Sequence, residues 1–187
     1  RTQVMMPYHP LLDAYEEERL SDKAFGSTKS GIGPFYSDKY AKIGFQVCEL
    51  FDDDLLRERL EKVCTLKNAL IVNLYRKPAL KADELYAEML RQRELIRPYV
   101  ADTFAFLQQA LEENKTVLLE GQLGTMKDPD FGIYPMVTSS HTVAAFGCIG
   151  AGIAPTELKE IVAVTKAYSS AVGGGEFVSE LFGDEAE

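Results

Sequence analysis

Apolar residues recur at helical spacing through the first half of the chain. Pro10 to Leu20 sets Leu11, Leu12, Tyr15 and Leu20 among acids, which predicts an amphipathic helix. Asp52, Asp53 and Asp54 stand where a helix N-terminus takes a cap and negative charge. Beyond them Leu56, Leu60, Val63 and Leu70 mark an apolar stripe that Pro78 interrupts. Asp83 and Glu84 open another helix with Leu85, Met89 and Ile96 on one face, and Pro98 suits the first turn of a further one bearing Val100, Phe104, Leu107 and Leu111. The stretch from about 52 to 114 is charged and leucine-rich, and all 14 glycines lie outside it, so a helical subdomain is expected there.

The period changes in residues 115–187, where a strand, loop, helix and strand are expected. Val117-Leu118-Leu119 and Ile161-Val162-Ala163-Val164 are short continuous apolar runs, the pattern of strands buried on both faces of a parallel sheet. Glycine-bearing loops follow both, at Gly121 to Gly124 and at Gly173-Gly174-Gly175. Between them Thr142 to Gly152 predicts a buried helix. The fold class expected is therefore α/β, a mostly parallel sheet flanked by helices with a helix-rich first half. Ligands of such sheets gather beyond the carboxyl ends of the strands, where both glycine loops would lie.

Composition narrows the function classes. The 187 residues include 20 Lys and Arg against 29 Asp and Glu, a net charge of −9, which argues against sequence-independent nucleic-acid binding. At 46% hydrophobic and 26% charged the chain is globular in type, and about 70% of the surface of a chain this long is buried on folding. No apolar run approaches the ~20 residues of a membrane span, and no secretory signal opens the chain. Cys48, Cys64 and Cys148 are odd in number and unpatterned, which fits reduced thiols and a cytoplasmic location. Neither repeats nor low-complexity stretches occur. The chain opens on Arg1 and closes on Glu185-Ala186-Glu187, and a segment of a longer polypeptide is expected.

Two loops carry the makings of anion sites. Gly26 to Pro34 combines glycines, which let backbone N–H groups converge, with Ser27, Thr28, Lys29 and Ser30. It is not a Walker A loop, because Ile32 and Gly33 stand where Lys and Ser/Thr are required; a loop that simply turns is the plainer alternative. Val137 to Thr142 places hydroxyls before the expected helix, where they cap it or meet a phosphate. His9 and His141 form no metal-ligand spacing, and Glu120 is one carboxylate without a partner. The runs Glu16-Glu17-Glu18 and Asp52-Asp53-Asp54 are expected to be solvated helix faces and caps. No GxSxG elbow is present.

Read in order, FGSTKSGIGPFYSDK (Phe25 to Lys39), LLEGQLGTMKDPDFGIYPMVTSS (Leu118 to Ser140) and KAYSSAVGGGEFVSELF (Lys166 to Phe182) resemble adenylosuccinate synthetase, as do MPYH at Met6 and VCELFD at Val47. The resemblance spans essentially the whole chain and matches the family's middle portion. It implies a cytoplasmic, homodimeric ligase that joins IMP to L-aspartate in AMP biosynthesis while splitting GTP, with Mg²⁺, on a mostly parallel sheet flanked by helices.

By the same resemblance, Thr28 and Thr138 match threonines that contact the IMP 5′-phosphate, and Val172 matches a residue lining its ribose. Lys42 stands where the family has an arginine reaching the partner's IMP, and Leu123 where it has a glutamine on the hypoxanthine. Lysine keeps charge without the planar fork, and leucine cannot hydrogen-bond a base. Ser30 replaces an arginine, Lys29 a glycine and His141 an asparagine. The family's catalytic aspartate and histidine precede the matching region, and its aspartate-binding and guanine-recognition segments follow it. These residues are thus expected to supply IMP contacts and dimer interface without turning over alone. A non-catalytic paralogue binding a nucleotide or a partner protein, and a ligase for an altered nucleotide, stay open.

Overall fold

The computed structural model describes residues 1–186. They form two compact units that part between Ala101 and Asp102.

In residues 1–101 α1 (Tyr8–Leu20) and α2 (Ile32–Tyr40) are followed by α3 (Asp53–Asn73) and α4 (Ala82–Ile96). α1, α3 and α4 are the three helices expected from apolar spacing, whereas α2 begins at Ile32, inside the stretch Gly26 to Pro34 that the sequence reads as a loop. A short ribbon pairs β1 (Gln3–Val4) antiparallel with β2 (Phe45–Gln46), Gln3 opposite Gln46 and Val4 opposite Phe45. The Asp52 carboxylate accepts the Leu55 N–H at 3.0 Å and so starts α3, with Asp53 and Asp54 in its positive first turn. Leu56, Leu60 and Val63 of the expected stripe go inward, but Leu70 is 38% exposed and Ile71 is buried instead; with Leu85 and Met89 of α4 and with Met6, Tyr8, Leu12, Phe45 and Leu50 these side chains form the core. Leu56, Leu60 and Ile71 are 0% exposed, and burial of each contributes roughly 1.5–3 kcal/mol.

Pro98 does not open the next helix. It lies in a single 3₁₀ turn, Arg97–Tyr99, and α5 (Thr103–Glu112) begins only where Asp102 accepts the N–H groups of Phe104 and Ala105 at 3.1 and 3.2 Å. Val100 is thereby left outside the helix.

From Asp102 onward the packing is thin: Ala110 and Cys148 are the buried apolar side chains among the described residues. The expected parallel sheet is not found here. Among the described residues the β1–β2 ribbon is the one sheet, and Val117–Leu119 and Ile161–Val164 form no strand. Leu118 is 88% and Val164 95% exposed. A strand requires a neighbour to take its N–H and C=O groups, and no described segment pairs with either run. The helix expected over 142–152 contracts to α6 (Ala145–Ala151) and buries only Cys148.

Candidate functional site

The loop between α1 and α2 is built from within by α1. Phe25 N–H donates to the Glu17 carboxylate at 3.0 Å, and Gly26 and Ser27 N–H donate to it at 3.0 and 3.1 Å. The backbone groups expected to cradle an external anion therefore already hold an internal one, and Glu17 is buried rather than part of a solvated acidic face. Four residues earlier, Asp13 accepts the Gly31 N–H at 2.8 Å. Gly31 has φ +87°, and a Cβ there would lie 2.6 Å from Pro10 N and 2.7 Å from the His9 carbonyl carbon, so only glycine fits. Thr28, Lys29 and Ser30 are exposed between these ties, with the Thr28 and Ser30 hydroxyls 2.7 Å apart.

The far end of α2 carries Lys42. It sits exposed in a left-handed turn at φ +63°, closed where Ile43 and Gly44 N–H both donate to the Asp38 carbonyl at 3.0 Å. Lys42 borders a shallow cavity of about 250 Å³ with Lys39, Gln3 and Arg59. Arg59 is committed elsewhere, to Glu49 and to the Gly44 carbonyl, and the Lys39 ammonium lies 5.4 and 5.5 Å from the Tyr36 and Tyr40 ring centroids.

A buried polar knot anchors α2. Asp38 accepts from Tyr8 Oη at 3.0 Å, from His9 Nε2 at 3.1 Å and from the Lys67 ammonium. Met6 N–H donates to His9 Nδ1 at 3.0 Å, so the ring proton sits on Nε2, facing Asp38. Burial alone would push the Asp38 carboxyl up, but the bonds from His9, Lys67 and Tyr8 outweigh it and hold it below the ordinary carboxylate range. Burial pushes the Tyr8 phenol upward, and the Asp38 charge pushes it further.

In the second unit Asp128 is the organiser. Its side chain is wholly buried and accepts the N–H groups of Asp130, Phe131 and Thr142 at 2.9, 3.3 and 2.8 Å. Burial opposes its ionisation, yet these N–H donors and His141 outweigh that and bring its carboxyl down to about 2. Thr142 Oγ1 also donates to the Gly124 carbonyl at 2.9 Å. Leu123, beside Gly124, has φ +81° and is 54% exposed. Thr138 is half-buried, its N–H on the Lys127 carbonyl at 2.9 Å, while the Lys127 ammonium reaches the Met136 carbonyl at 3.1 Å. The glycine run packs on the same segment, since a Cβ on Gly175 would meet Met136 at 2.6 Å. Lys127, Ser170, Ala171 and the run from Gly173 to Phe177 line a cavity of about 320 Å³, while Val172, within this stretch, does not line it and is 73% exposed.

Thr28 and Lys42 thus flank α2 in the first unit, while Leu123, Thr138 and Val172 lie on separate loops of the second. Asp13, Glu17, Asp38 and Asp128 were missed as organisers. The signal for Asp128 was the Asp-Pro-Asp turn sequence; for the others the sequence offers only acids at helix positions. Glu120 is exposed. Asp128, Asp130 and His141 hold ligand atoms within 4.8 Å of one another. They do not suit Mg²⁺, which prefers open carboxylate and water oxygens, because three N–H groups already occupy Asp128.

The family model described as adenylosuccinate synthetase matches residues 1–187. The adenylosuccinate synthetase of Carboxydothermus hydrogenoformans is 46% identical over 187 residues, all of this chain but 44% of that protein. That of Caldicellulosiruptor saccharolyticus is 41% identical over 97% of this chain and 42% of its own length. A structure described as fully ligated adenylosuccinate synthetase from Plasmodium falciparum superposes with a TM-score of 0.85 at 32% identity, covering 98% of this chain and 43% of that one. The chain spans less than half the length of the relatives it matches.

Proposed function

The chain belongs to the adenylosuccinate synthetase family, and on that premise we propose that it forms part of a GTP-dependent ligase that joins IMP to L-aspartate in AMP biosynthesis. The observation that carries this reading is the family match along all 187 residues. In it, Thr28 and Thr138 donate hydroxyl hydrogen bonds to the IMP phosphate, Val172 lines the ribose, and Leu123 lies against the base. Lys42 reaches the IMP of a second copy across a homodimer, and its exposure on the turn after α2 supports that reach. The parallel sheet, cytoplasmic location, GTP and Mg²⁺ belong to the same proposal. Mg²⁺ would serve phosphoryl transfer from GTP, and no described residue is assigned to it. Among the described residues no helix is long and apolar enough to cross a membrane. The domain reading likewise stands as a proposal: residues 1–187 as the central segment of one synthetase-like domain, with a helical subdomain over 52–114.

The chemistry of these residues is binding and orientation. Hydroxyls on braced loops meet the phosphate without first paying to order the loop. These 187 residues expressed alone are expected not to consume IMP. The test is GTP-dependent formation of adenylosuccinate by the intact protein. Thr28→Ala and Thr138→Ala should each raise KM for IMP roughly tenfold, the value of one charge-assisted hydrogen bond. An intact protein that neither binds IMP nor turns it over would overturn the reading. It would favour a non-catalytic paralogue, which the apolar Leu123 side chain supports because it offers a base no polar contact. Turnover of a different purine monophosphate would favour the altered-nucleotide ligase.

A further inference from the structure

We infer that Glu17 is a positioning residue for phosphate recognition: its carboxylate fills the backbone nest of Phe25 to Ser27 and so presents Thr28, Lys29 and Ser30 outward to the phosphate of a nucleoside monophosphate. The inference rests on the proposed phosphate contact of Thr28. Three consecutive N–H groups converging on one point are a ready anion site. Here all three are taken, one on Glu17 Oε1 at 3.0 Å and two on Oε2 at 3.0 and 3.1 Å. Asp13, one helical turn earlier on the same face of α1, ties the other end of the loop through Gly31 N–H at 2.8 Å. Between these anchors the tip makes, among the described residues, only its own bonds, Lys29 N–H to Ser27 Oγ at 3.0 Å and Thr28 Oγ1 with Ser30 Oγ at 2.7 Å.

The internal carboxylate has two consequences. An incoming phosphate is denied the inner nest, where it would lie against α1, and is left the exposed hydroxyls and Lys29. The loop is also ordered before the ligand arrives, so binding does not bear that entropy. Glu17 touches no substrate in this arrangement and acts only through the loop.

The experiment measures dissociation constants of IMP and of inosine for the intact protein and for Glu17→Ala and Glu17→Gln. The ratio isolates the phosphate. Glu17→Ala should lower the preference for IMP by roughly tenfold or more, as lost preorganisation does, with inosine affinity unchanged. Glu17→Gln retains one accepting oxygen and should fall between. Variants that keep the wild-type ratio, or that lose IMP and inosine equally, overturn the inference. A wild-type protein that binds IMP no better than inosine instead overturns the phosphate role of Thr28, and Glu17 falls with it. Should Glu17→Ala fail to fold, Glu17→Gln carries the comparison. Amide exchange at Phe25, Gly26 and Ser27 of the unliganded wild type then decides independently: slow exchange is expected, and fast exchange refutes the pre-formed nest.

Discussion

Removing the Asp38 side chain tests the buried knot most directly. Tyr8 and His9 are 0% exposed and the Lys67 side chain 12%, so Asp38→Ala strands two buried donors and a mostly buried ammonium. Each buried donor left without a partner costs about 1–3 kcal/mol, which sums to about 3–6 kcal/mol because Lys67 recovers part of its loss by reaching water. That is a large share of the roughly 5–15 kcal/mol that holds a domain folded. Asp38→Asn separates the contributions. Tyr8 and His9 both bond Oδ2, and Lys67 bonds Oδ1. An amide oxygen in the Oδ2 place keeps the first two and sets an NH₂ against the ammonium. Its cost should therefore be about half as large, and Lys67→Met in the same protein should remove much of it. Amide hydrogen exchange in the intact protein reads this at Met6, Ile43 and Gly44, whose N–H groups bond His9 or the Asp38 carbonyl. Opening should quicken about 100- to 10,000-fold in Asp38→Ala, at 1.4 kcal/mol per tenfold. Equal effects of Ala and Asn, or a loss below about 1 kcal/mol in Asp38→Ala, would refute this account.

Gly31→Ala should destabilise the first unit by more than about 2 kcal/mol, because the left-handed backbone costs 1–2 kcal/mol and the new Cβ strikes the backbone of Pro10 and His9; thermal unfolding of the intact protein measures it. Asp52→Ala removes the cap of α3 and should cost about 1 kcal/mol, while Asp52→Ser should recover most of it. The carboxyls of Asp38 and Asp128 both lie lower in the folded chain than in an unfolded one. Their stabilisation is complete above the unfolded value of about 3.9 and is lost as pH falls through the folded values, for Asp128 towards about 2. Exchange at Asp130, Phe131 and Thr142, corrected for its intrinsic pH dependence, should therefore quicken below about pH 4 and stay level between pH 5 and 7.

Features set by neighbours in sequence were legible. α1, α3 and α4 follow from apolar spacing, and the start of α3 from an aspartate three residues ahead of a free N–H. Pro98 misled because a proline suits any first turn, and the turn it enters ends at Tyr99, before Asp102 caps α5. The apolar runs at 117–119 and 161–164 have strand composition, but strands exist only in pairs, and pairing cannot be read from one run. The threonines of the proposed phosphate contacts were legible through family motifs rather than through chemistry, since a hydroxyl in a loop is common.

The amino-acid sequence alone determined α1, α3 and α4 and the family, because caps, periodicity and long motifs are local properties of the chain; α2 was not legible in it. Only the tertiary structure decided which acids are buried. Glu16, Glu17 and Glu18 are alike in sequence, yet Glu17 alone points under the following loop and gathers its N–H groups. Asp38 draws its partners from about thirty residues away on either side, at Tyr8, His9 and Lys67. A carboxylate pays for leaving water unless several donors converge on it, and that convergence arises only when distant segments are packed together.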